Sequence, residues 1–146
     1  MAARTLADIA EKMRDIDFTM LSTRSEGGTI AARPMSNNRE VEYDGDSFFF
    51  AMGDALTVSD IGRDPKVGLT FPSRGGLLGQ RSFFLAVEGD ASLIRDKGQF
   101  EEHWTKDIDR WFPDGIDTPG LTLIRVSATR MHYWDGEDEG EGEVAV

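Results

Sequence analysis

The chain has no cysteine, which removes disulfide frameworks, thiolate nucleophiles and zinc–thiolate sites together. Its two histidines, His103 and His132, lie far apart and form neither an HxxxH nor an HxE spacing, so no metal site is expected. There is no GxSxG elbow for a serine hydrolase, and no Walker loop or GxGxxG for a P-loop or Rossmann nucleotide site. Long apolar runs are missing too. The longest, Phe48 to Met52, is strand-sized, far short of the roughly 20 residues a membrane helix needs. Met1 to Asp8 lacks the basic-then-apolar pattern of a secretory signal, so a soluble, cytoplasmic protein is expected. Basic residues are scarce: 16 Lys and Arg against 27 Asp and Glu give a net charge of −11. Nucleic-acid binding needs a basic face and is not expected.

Six of the acidic residues fall in 135–146, which holds no basic one. Glycine alternates with glutamate there, and little in it can offset the entropy of ordering. The expectation is one domain over 1–134 and a disordered, solubilising tail over 135–146. Carboxylates are so plentiful elsewhere that no general acid–base pair stands out without geometry.

What is present is mostly strand. Thr5 followed by Leu6, Ile9, Ala10 and Met13 predicts a capped first helix. The period then changes to two. Strands are expected over 18–23 and 29–36 with a turn at Ser25-Glu26-Gly27-Gly28, then over 47–52, 66–71, 82–88, 91–95 and 121–134. A short helix is expected over 57–63, ending before Asp64-Pro65, and another from the Asp96 cap to about Asp109 with Phe100, His103 and Trp104 on one face. Many hairpin-connected strands with a few helices indicate a mainly β barrel. Gly75, Gly76 and Gly79 admit either an anion-binding nest or a plain loop.

One constellation points to a ligand. Arg33-Pro34-Met35-Ser36 sits on a strand whose ladder must open at Pro34. Phe49-Phe50-Ala51-Met52 ends another strand, and a helix N-terminus follows at Thr57. An arginine, a hydroxyl and free helix N–H groups are the components that hold a phosphate. An open strand edge offers backbone groups to a flat heteroaromatic ring, with Met and Phe against its faces. Arg33 reads equally well as an ordinary surface ion-pair partner.

The order "FTMLSTR", "ARPMS", "FFFAMGDALTVSDIGRDPKVGLTF", "LAVEGDASLIRD", "HWTKDIDRWFPDGID" and "LIRVSATRMHYWD" resembles the general-stress-protein subgroup of the pyridoxamine 5'-phosphate oxidase-like flavoproteins, from the first helix to Trp134. The resemblance implies a six-stranded antiparallel FMN-binding split barrel. It further implies a homodimer with two flavin sites between the subunits, FAD or a deazaflavin not being distinguished from FMN. By position, Arg33 would meet the flavin phosphate, and Pro34, Met35 and Ser36 would line the ring. Phe50 and Ala51 would run beside the ribityl chain and ring. Leu56 and Thr57 match a pair that is often arginine and lysine in the oxidases. Trp111 and Trp134 match aromatic positions that can reach the partner's flavin, or they close the barrel. Each charge-assisted contact is worth about 1.5–3 kcal/mol. Losing two would weaken FMN by about two orders of magnitude or more, unless Arg24, Arg39 or Arg63 compensates; the unusual loop 73–81 could bring Arg74 or Arg81 over the site. The activity implied is a flavin-dependent oxidoreductase taking electrons from a small donor, with a stress-related role. The alternatives are a non-catalytic flavin-binding protein and a cofactor-free dimeric binding module.

Overall fold

The structure, a computed structural model, describes residues 4–37, 43–73, 83–136 and 140–146. Helix α1 (Leu6–Met13) starts where its cap predicts: the Asp8 N–H donates to the Thr5 hydroxyl and the Thr5 N–H to the Asp8 carboxylate, a reciprocal capping box. Those Thr5 donors hold the Asp8 carboxyl below its ordinary value. The helix buries Ile9, Ala10 and Met13.

Strands β1 (Phe18–Arg24) and β2 (Ile30–Ser36) form a hairpin. Its turn needs positive φ twice, +87° at Gly27 and +84° at Gly28, where glycine carries no Cβ penalty. Then follow β3 (Asp46–Met52), α2 (Leu56–Arg63), β4 (Lys66–Ser73), β5 (Phe83–Ile94), α3 (Lys97–His103), β6 (Leu121–Asp135) and β7 (Gly140–Val144). All pairings are antiparallel. Six strands run in the order β2-β1-β4-β5-β6-β3, and β7 adds to β6 as a seventh.

The 12-residue β5 bends at a bulge between Glu88 and Gly89, so the two predicted strands are one. A Cβ on Gly89 would lie 2.6 Å from the Ser127 carbonyl oxygen, which only glycine permits. Leu21, Phe49, Leu69, Leu85, Ile124 and Val144, with Met35 of β2 against them, belong to one buried cluster that draws on every strand. The sheet therefore curls around its own core, with Ile9 and Met13 closing it. A second apolar layer lies on the outer face of β3 and β6, where Phe48 and Phe50 meet Phe100, Trp104 and Phe112.

Two further expectations change. Helix α3 ends at His103 instead of near Asp109, because Trp104 turns out of the helix (φ −75°, ψ 131°) to join the aromatic layer. Its ring meets Phe50 edge-on at 4.9 Å, and its indole N–H donates to Asp109 at 2.7 Å. A 3-10 turn over Lys106–Ile108 follows. The tail differs more: residues 140–144 form a strand instead of disordered chain. β3 covers the edge of β6 from Leu121 to Ser127, and β7 takes Met131 to Asp135. Val144 is buried, and Arg130 bonds Glu143 at 2.8 Å through Nε. Composition undervalued the tail because an open strand edge supplied the backbone partners it lacks by itself. The glycine-rich loop with Arg74 and Arg81, and Arg39, lie outside the described residues. Among the described residues no helix is long and apolar enough to cross a membrane.

Candidate functional site

β2 and β3 are the two ends of the strand order, so among the described residues each presents one edge without a strand partner. Between them lies a groove of about 310 Å³, walled by Pro34, Met35 and Ser36 on one side and Phe48 and Phe50 on the other. Phe18, Trp111 and Phe112 complete its apolar surface, and Asn37 and Asp107 add polar groups. Pro34 has no N–H to donate, and an end strand is where that omission leaves no neighbour unpaired. The volume falls within the range of small-molecule sites, about 300–1,000 Å³. Phe50 is held by Phe100 and Trp104, both edge-on. Trp111 is exposed, with the Arg110 guanidinium 5.1 Å above its ring.

Arg33 belongs to the adjoining polar cluster. It pairs in register with Leu21, so its side chain follows the inward face of β1. One guanidinium nitrogen donates to the Thr23 hydroxyl at 2.7 Å, and the other stands 3.5 Å from the Asp60 carboxylate. Asp60 is buried and also accepts from Thr23 at 2.9 Å, while Arg63 approaches its other oxygen at 3.4 Å. Two cations thus share one acid, and the cluster keeps one positive charge.

Helix α2 brings this cluster next to a set of free donors. Its N-cap is Ala55, with no side-chain cap and no acidic residue in the first turn. The Leu56 and Thr57 N–H groups meet no acceptor among the described residues. The Thr57 side chain is only 8% exposed, and its hydroxyl has no partner among the described residues. Thr57 and Asp60 are three apart and share a helix face, so Arg33 contacts the face that carries Thr57.

The sequence-derived site residues therefore divide into groups. Pro34, Met35, Ser36, Phe50 and Trp111 meet in the groove. Arg33 and Thr57 belong to the neighbouring donor cluster. Ala51 is paired to Thr122 at the end of β3, and Leu56 is 79% exposed beside Thr57. Trp134 stands apart on the outer face of β6, opposite Phe84 and tilted against His132. Sequence reasoning missed Asp60, whose signal was its place on the buried face of α2, and Phe18, whose signal was an aromatic at the exposed start of a strand. It also missed the aromatic layer that fixes Phe48 and Phe50. Among the described residues no group of three His, Asp or Glu side chains is placed to hold a metal ion.

Comparisons with known proteins agree with this architecture. A crystal structure of a Clostridium acetobutylicum protein related to general stress protein 26 of Bacillus subtilis superposes with a TM-score of 0.77 at 19% identity, covering 94% of this chain and 92% of that one. A pyridoxamine 5'-phosphate oxidase-related, FMN-binding protein from Nostoc punctiforme superposes with a TM-score of 0.67 at 14% identity, covering 87% and 78%. Protein bli-3 of Neurospora crassa is 24% identical over 147 residues, 94% of this chain and 68% of that protein. The profile of the family described as pyridoxamine 5'-phosphate oxidase like matches residues 4–145. By that match across nearly its whole length, the chain belongs to the pyridoxamine 5'-phosphate oxidase-like family.

Proposed function

We propose that the chain is an FMN-binding flavoprotein that passes electrons between small molecules, and that it works as a homodimer. The observation that carries this reading is the pairing of an aromatic-walled groove with an uncapped helix N-terminus beside a net-positive cluster. The donor set suits a phosphate: two backbone N–H groups, an unpartnered threonine hydroxyl and a charge shared by Arg33 and Arg63. Leu56 contributes nothing to it beyond its backbone. Family membership and the FMN-binding protein among the structural neighbours favour the same ligand.

A bound flavin supplies reversible one- and two-electron chemistry at its ring, and the protein supplies binding, orientation and shielding. The edge of β2 from Pro34 to Ser36 offers backbone groups to the ring's polar rim. Met35, Phe48 and Phe50 keep water from its faces, and Thr57 with the α2 N–H groups anchors the phosphate. Of the titratable side chains on the groove, Asp107 is exposed at its rim. The residues are thus suited to hold a ring rather than to shuttle protons.

The outer face supports the dimer reading. Pro72, Phe84 and Trp134 lie in register across β4, β5 and β6. The β1–β4 register, continued by two residues, brings Phe18 to the same row. Phe18, Phe84 and Trp134 are each more than 40% exposed, a stripe a second copy would cover. Phe18 also lines the groove, so the stripe and the groove are continuous.

A titration of FMN and of riboflavin, followed by quenching of flavin fluorescence, tests the reading. Saturable micromolar or tighter FMN binding at one per chain is expected, with riboflavin at least about tenfold weaker. Thr57→Val should narrow that gap. Absence of quenching by either flavin would overturn the proposal.

A further inference from the structure

A second, smaller pocket shares a wall with the groove. It holds about 40 Å³ and lies between the end of α1 and the start of β3. By the measure on which about 10–15 Å³ takes one water, that is room for a small oxyanion. Its lining is rich in donors brought together by three elements, α1, β3 and α3. Arg14 follows α1, Tyr43 and Ser47 flank the start of β3, and His103 ends α3.

These donors are not committed elsewhere. Neither Arg14 nor the His103 ring nitrogens have a hydrogen-bonding or ionic partner among the described residues. The His103 ring is fixed by stacking on Phe48, centroids 3.7 Å apart and planes 15° from parallel. The Tyr43 hydroxyl is buried and unpartnered. The Ser47 hydroxyl stands beside it and favours its ionised form. A buried hydroxyl in that condition carries an uncompensated desolvation cost, which a native fold ordinarily avoids. The acid in the wall, Asp46, is already paired with Arg125 at 2.7 Å. What remains is one cation and several donors facing a cavity. Burial, first of all, together with the nearby Asp46 and Asp44 charges, pushes the Tyr43 phenol well above its ordinary value, against a smaller opposing effect of Ser47. It therefore stays a donor.

We propose that this pocket binds a small free oxyanion, carboxylate or phosphate, on Arg14, the Tyr43 and Ser47 hydroxyls and His103. The site is separate from the flavin groove, and the proposal does not rest on flavin binding. Phe48, which lines both and stacks on His103, makes the pocket's occupancy a means of positioning one wall of the groove.

The test uses the full chain without flavin, adding sodium phosphate or sodium acetate at constant ionic strength while following the two histidine ring signals by NMR. His103 should shift saturably in the millimolar range or tighter, and His132 should not. Tyr43→Phe keeps the ring's shape and should weaken binding about tenfold or more. Arg14→Gln, at an exposed position, should weaken it at least severalfold. An unmoved His103, or a shift unchanged in both variants, overturns the proposal. A third arm adds FMN. Displacement of phosphate from His103 by FMN, but not by riboflavin, would show that the pocket receives the flavin's own phosphate and would overturn the separate site. Loss of flavin binding with His103 still responding would defeat the flavin reading alone.

Discussion

Arg33 shows how far one residue can be read in isolation. Its place in "ARPMS" marks it as a cation beside an opened strand, and two roles fit that description equally. In the structure its guanidinium faces Asp60 and Thr23. Asp60 itself was not legible, because an aspartate in a short helix looks like solvent-facing charge until β1 and β2 are packed against it. The cluster gives a prediction with two opposed signs. Asp60→Asn removes the shared acid from two arginines and should destabilise the fold by about 2–3 kcal/mol. That is below the full cost of breaking a buried pair, because Arg63 is nearly half exposed. The same change releases positive charge next to Thr57, so FMN should bind severalfold more tightly relative to riboflavin. Arg33→Ala should instead weaken FMN. Paired thermal melts and titrations check both effects. If the two variants weaken FMN equally, the cluster only positions β2 and carries no charge to the ligand.

At the scale of elements, the readable pieces were those specified locally. The α1 capping box, the Gly27-Gly28 turn and the two-residue period of β1 need only neighbours in sequence. The end of α3 was misjudged because the edge-on contact that draws Trp104 out of the helix is with Phe50, which is distant along the chain. β7 was missed for a related reason: its strand exists only because β3 leaves the Met131–Asp135 edge of β6 uncovered. Gly142 fits under the Tyr133 ring, where a Cβ would be 3.3 Å from the hydroxyl oxygen. Deleting residues 137–146 should therefore cost about 2 kcal/mol, the scale of burying one valine side chain, measured by urea denaturation. Hydrogen exchange at residues 131–135 should accelerate in the same variant. Unchanged stability and unchanged exchange would mean that β7 contributes nothing to holding β6.

For the whole molecule, the order of elements and the mainly β class were legible, because alternation and turn residues repeat along the chain. The candidate site was legible only in parts. Pro34, Met35, Ser36, Phe50 and Trp111 come from three separated segments, and what unites them is that the sheet curls until its two end strands face each other. No local pattern encodes that meeting. The same curvature decides which aromatics remain outside. Phe18, Phe84 and Trp134 lie on the outer face although their strands look like any half-buried strand. A stable interface covers about 800 Å² per partner, more than these side chains present, so the proposed partner copy would also have to reach neighbouring surface such as the rim of the groove at Trp111. Light scattering should thus give twice the chain mass of 16.2 kDa. Phe84→Asp, which places a charge at the centre of the stripe without touching the groove, should reduce it to a single chain. If the second copy completes the flavin site, that monomer should also lose most of its FMN affinity. A folded monomer that retains full affinity would confine the site to one chain, and a wild-type protein of single mass would remove the dimer altogether.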